Sequence, residues 1–107
     1  MASTLKILGQ AQSTGSNVIV YTAPLSTTCA ISSIVVCNRL TSNLTFTLHA
    51  VKASRPPDNL SLLYKDNNIY ANSSLEKTPG ATLGAGDYIV LNAPVGITVS
   101  IFGIENT

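Results

Sequence analysis

His49 is the only histidine in the sequence, so any chemistry that needs a neutral-pH proton carrier has one place to find it. A hydrolase or transferase of the nucleophile-and-base type also needs a nucleophile beside that base and a group to orient it. No Gly-x-Ser-x-Gly elbow, phosphate-cradling glycine loop or Cys-x-x-Cys pair occurs. A zinc site would have to be assembled from His49, Cys29 and Cys37, which lack ligand spacing. The five carboxylates are Asp58, Asp66, Glu76, Asp87 and Glu105, and a glycosidase would have to set two of them across a cleft. Asp58 and Asp66 stand among turn-forming residues. Asp87 follows Gly84-Ala85-Gly86, where a carboxylate commonly accepts hydrogen bonds from turn amides. The expectation is a chain that is not an enzyme, with no catalytic residue, no metal and no cofactor.

The remaining reactive or recognition-prone side chains have plainer uses. Cys29 and Cys37 fall in one extended run, where eight residues of rise hold them roughly 26 Å apart; a disulfide needs α-carbons within about 7 Å. They read as reduced thiols acting as small core hydrophobes. Without Trp, a sugar platform would have to use Tyr64 and Tyr70, two residues that equally suit packing across a hairpin.

The elements that would position these residues are strands. From Asn43 to Val51, Leu44, Phe46, Leu48 and Ala50 share one face and Thr45, Thr47 and His49 the other, the period of a half-buried strand. A second alternating run, Val95 to Ile104, sets Ile97, Val99 and Ile101 opposite Phe102 and Ile104. Val18 to Thr22, Cys29 to Asn38 and Asp87 to Leu91 are dense in Val, Ile and Tyr. In the second of these, Ile31, Val35 and Cys37 are expected on one face and Ile34 and Val36 on the other, as in a central strand between two layers. Leu5 to Leu8 adds an edge strand. Leu60 to Tyr64 and Ile69 to Ala71 read as a hairpin about Lys65-Asp66-Asn67-Asn68, whose Asp and Asn tolerate left-handed backbone. Loops rich in Gly, Pro, Ser and Asn separate the runs. Seven to eight short antiparallel strands in 107 residues predict one all-β domain over 1–107, a small β-sandwich of jelly-roll or Ig-like type.

Composition narrows the partners. Hydrophobic residues make up 45% of the chain and charged ones 10%, which excludes disorder driven by charge. The six basic residues are scattered, so no nucleic-acid footprint forms. MASTLKILGQ matches neither a secretion signal nor a membrane anchor, and Ile31 to Cys37 is too short to span a bilayer; the expectation is synthesis in the cytosol and no membrane partner. A surface of Ser, Thr and Asn in place of Lys and Glu suits close packing against other proteins.

Several segments together carry a family likeness: Tyr21-Thr22-Ala23-Pro24, Ile31-Ser32-Ser33-Ile34-Val35-Val36-Cys37-Asn38-Arg39, Leu44-Thr45-Phe46-Thr47-Leu48, a Gly86-Asp87 turn and a terminal Ile101-Phe102-Gly103. The chain resembles small virion structural proteins of tailed bacteriophages, including cyanophages. The resemblance covers most of the chain and is weakest from Ser54 to Pro79, where polar loops are candidates for a partner-reading surface. It implies residence in a phage particle made in the host cytoplasm, with copies arranged symmetrically, a trimer being favoured, against the major capsid protein or tail proteins. The leading expectation is a capsid decoration or cement protein. A tail, baseplate or fibre component and a carbohydrate-binding module are the alternatives. Candidate interface residues are Arg39, His49, Arg55, Tyr64 and Tyr70. Arg39, just after the most buried strand, suits either an inter-subunit carboxylate or a charge that keeps a strand end soluble.

Overall fold

Alternation in the sequence becomes cross-strand pairing in the computed structural model, which describes residues 3–107. The described residues form nine strands: β1 (Ser3–Gln12), β2 (Asn17–Thr22), β3 (Thr28–Asn38), β4 (Leu44–Val51), β5 (Leu62–Ile69), β6 (Ser74–Lys77), β7 (Thr82–Leu83), β8 (Tyr88–Asn92) and β9 (Ile97–Asn106). One turn of 3-10 helix, Asn59–Ser61, precedes β5. All pairings are antiparallel. One sheet runs β1-β9-β3-β6 with β7 also on β3, and the other runs β2-β8-β4-β5. The two layers define a β-sandwich, as expected.

Apolar side chains from both inner faces fill the space between the sheets. Phe46 and Leu48 of β4 point inward, as do Ile89 and Leu91 of β8 and Ile97, Val99 and Ile101 of β9, all buried. Burial of this kind contributes roughly 1.5–3 kcal/mol per large side chain. Phe102 and Ile104 fall on the outer face, as the alternation predicts, and remain partly exposed.

Three expectations fail, the first two for a backbone reason. In β3, Ile31, Ile34 and Val36 all point inward while Val35 and Cys37 point out. A bulge between Ile31 and Ser33 inserts one residue and reverses the parity of everything after it. Similar irregularities occur between Ile7 and Gly9 in β1 and between Ile19 and Tyr21 in β2. The predicted hairpin about Asp66 is one continuous strand, β5, which pairs with β4 on both sides of that residue. Asp66 does take left-handed backbone, φ 49°, but spends it on an irregularity in the ladder, where its N–H donates to Thr47 Oγ1 at 3.1 Å. Tyr64 and Tyr70 therefore do not pair across a hairpin. The loop expected between Thr78 and Gly86 holds the short strand β7, and β6, for which the sequence offered no element, precedes it; both are laid on β3. Gly103 is required where β9 meets β3, because a Cβ there would overlap the Ala30 carbonyl oxygen.

Candidate functional site

The five candidate interface residues lie in separate places. Arg39 and Tyr70 are exposed in neighbouring loops at one end of the sandwich, a group tied by Arg39 N–H to Gly96 O and Asn72 N–H to Leu40 O, both 2.9 Å. His49 projects from the outer face of β4, where its Nδ1 lies 2.8 Å from Ser61 Oγ. Arg55 belongs to the loop that follows β4 and pairs with Asp58 at 3.6 Å. Tyr64 is half-buried against the core, with Lys77 Nζ 4.9 Å from its ring centroid. Only Arg39 with Tyr70, and His49 with Arg55, share a region.

The Ser61–His49 pair, which the sequence reading did not anticipate, is structural. Ser61 and Asp58 close a capping box: Asp58 Oδ1 accepts from Leu60 N–H at 2.9 Å, and Ser61 Oγ accepts from Asp58 N–H at 3.0 Å. The Ser61 hydroxyl also donates to the Asp58 carbonyl at 2.9 Å, so it is committed to the turn. The segment from Lys52 to Ser61 straps over the outer face of the second sheet. The Tyr88 hydroxyl bonds the Arg55 carbonyl from below, and Val51 and Val90, which point outward, are buried beneath. Asp87 fixes the strap's base and its own turn together, accepting from Ala53 N–H at 3.0 Å and Gly84 N–H at 2.8 Å; the Gly84 contact is the turn-amide role expected of it, and the tie to the strap is additional.

A polar chain joins the two sheets at one end. Lys6 Nζ pairs with Glu105 Oε1 at 3.0 Å. The Tyr21 hydroxyl donates to Glu105 Oε2 at 2.5 Å and lies 2.8 Å from Cys29 Sγ. Burial, then the Cys29 and Glu105 contacts, push the Tyr21 phenol far above its ordinary 10.0. The Tyr21 hydrogen bond, then that of Lys6, holds Glu105 below its ordinary 4.5. Because the folded value of Glu105 is depressed, its contribution is whole above pH 4.5 and is lost as pH falls through the folded value. Because that of Tyr21 is raised, its contribution is whole below pH 10.0 and is lost as pH rises above it. Tyr21→Phe is therefore expected to flatten the pH dependence of stability on both sides, as measured by urea unfolding from pH 3 to 11. An unchanged profile would show that the chain of contacts carries no linkage.

The outer face of the first sheet contrasts with that of the second. Leu5 and Ile7 of β1 are 76% and 51% exposed. Beside them on β9 stand Ile104 and Phe102, their register partners. Among the described residues no loop straps this face. The alternation of Leu5, Lys6, Ile7 and Leu8 was a signal for it, since an edge strand with apolar residues on both sides of its pleat has one side to cover.

Fold and surface define the class of this chain as a two-sheet antiparallel β-sandwich. No protein-family model matches it, and no curated protein does. Among solved structures it is similar to a chain in the structure of infectious bursal disease virus Gt strain, with a TM-score of 0.49 and 6% identity; the match covers 96% of this chain and 31% of that one. This chain thus spans about a third of that chain's length.

Proposed function

We propose that this chain is a non-enzymatic structural subunit of a tailed-phage particle, most simply a decoration or cement protein that binds the head shell in symmetric copies. The observation that carries this reading is the uncovered apolar face around Ile7 and Phe102 on a sandwich whose polar groups are spent on turns and inter-sheet ties. Exposed, contiguous apolar surface on a small domain marks an interaction site. The sequence likeness to small phage virion proteins gives the setting, symmetric copies beside the major capsid protein, or beside a tail protein if the chain resides at one vertex, and does not itself say which of these neighbours this face meets. A sugar-binding role has less support, because Tyr64 is packed on the core while Tyr70 stands at one end of the sandwich.

Copy number in purified particles, by quantitative mass spectrometry against the major shell protein, tests the proposal. Hundreds of copies are expected. Tens or fewer would move the subunit to the tail or baseplate, and absence from particles would overturn the virion reading.

A further inference from the structure

We infer that the outer face of the β1-β9-β3 sheet docks a second copy of this chain, face to face about a two-fold axis that passes near Phe102. Register sets out the face in rows. Leu5, Ile104 and Ala30 lie side by side in one, and Ile7, Phe102 and Ser33 in the next. Alternation gives β9 five outward positions, 98, 100, 102, 104 and 106, so Phe102 is the middle one. The apolar rows therefore lie at and beside the centre of the face, with Gln, Ser and Thr toward one end.

Three observations point to a second copy as the occupant. First, no outward residue of β1, β9 or β3 from the Leu5 row to the last row is charged. At a two-fold axis each side chain meets its own copy, so a charge near the axis would face a like charge; self-docking requires an uncharged centre, whereas a differently charged partner would select charge there. Second, the size suffices. Three strands of 10 or 11 residues side by side cover about 33 by 14 Å, roughly 460 Å² in projection, and the four residues of β6 extend the β3 side, with Glu76 at the rim beside Val35. Side-chain relief brings that near the low end of specific interfaces, below the ~800 Å² per partner of a standard one. Third, on the outer face of the other sheet Val51 and Val90 are buried under the chain's own strap and Ile19 stands exposed by itself beside Val90, whereas Leu5, Ile7, Phe102 and Ile104 adjoin one another across β1 and β9. The two-fold replaces the three-fold order that the family resemblance favoured.

The inference deepens the assembly reading and rests on it, but its test uses the isolated chain, so a subunit missing from particles and a subunit that does not self-associate are separate results. Sedimentation velocity of the full chain over a concentration series should show a species of twice 11.2 kDa. Ile7→Asp should weaken self-association by roughly 100-fold or more by placing two carboxylates near the axis, with cooperative unfolding retained; Ile7→Ser serves if the aspartate variant does not fold. Leu25→Asp, in the β2–β3 loop and 85% exposed, should leave the pair intact. A monomer at every concentration would overturn the inference and leave the face to a different protein. A trimer, a pair indifferent to both Ile7 variants, or equal dissociation by Leu25→Asp would overturn it as well.

Discussion

Phe46→Ala is expected to remove about 3 to 5 kcal/mol of folding stability, the largest loss of any single truncation in this chain. The side chain is 1% exposed and is the largest of the fully buried ones. It lies on β4, which is paired on both sides, with β8 and with β5, so neither neighbour can slide in to fill the space without breaking a ladder. The cost is therefore transfer of the ring plus an uncollapsed cavity. A domain of this size has a total stability of roughly 5–15 kcal/mol, so the variant should be marginal at room temperature. Urea unfolding should show a much lower midpoint at unchanged slope. A loss within about 0.5 kcal/mol, the range of an exposed site, would mean that the space between the sheets is not packed about Phe46.

Asn38→Ala is expected to cost roughly 2 to 4 kcal/mol through unmet hydrogen bonds. Asn38 ends β3 and is 1% exposed. Its Nδ2 donates to Ser42 O at 2.8 Å and to Ile69 O at 3.2 Å. Its Oδ1 accepts from Leu40 N–H at 2.9 Å. One amide thus holds the β3–β4 loop and ties the first sheet to β5 of the second. Alanine leaves all three backbone groups without that partner, and hydrogen exchange should show the Leu40 amide losing protection beyond the global change. Asn38→Asp keeps the acceptor but turns a carboxylate oxygen toward two carbonyls. It should be at least as damaging at neutral pH and partly relieved in acid, where a protonated carboxyl can donate again. Equal stability of all three proteins would show that water replaces the amide without penalty.

Legibility in the sequence followed how local each signal was. The alternation of β4 and β9 gave their inner faces directly, because side-chain period is a property of one strand. The Gly-rich approach to Asp87 likewise gave its contact with the Gly84 amide, which lies within the turn, but not its contact with Ala53, 34 residues away on the strap. What a second strand decides was harder. The bulge at Ser32–Ser33 exists only relative to β9, and it sent Val35 to the opposite face from Ile31. The residues that tolerate left-handed backbone at Asp66 are the same in a turn and in a bulge, so a strand continuing through them read as a hairpin. β6 and β7 are four and two residues long, too short to show a period. The candidate interface residues were chosen by type, as cations, a histidine and tyrosines, and type does not say where the fold will carry them. The uncovered face is made instead of aliphatic side chains and Phe102, apolar types that were not among those candidates.

The strand β9 lies between β1 and β3, with Ser3 opposite Asn106 and Thr28 opposite the same residue. As the chain leaves the ribosome, β1 and β3 emerge early and have no shared neighbour until β9 has been made. The first sheet must then close a loop of nearly the whole domain, which is slow for topologies built on distant pairings. During that interval Leu5 and Ile7 belong to an unpaired segment, and the face that carries them does not yet exist. Competence to dock thus arises only when synthesis of the domain is finished, so a truncated product lacking β9 would be left outside any assembly this face directs.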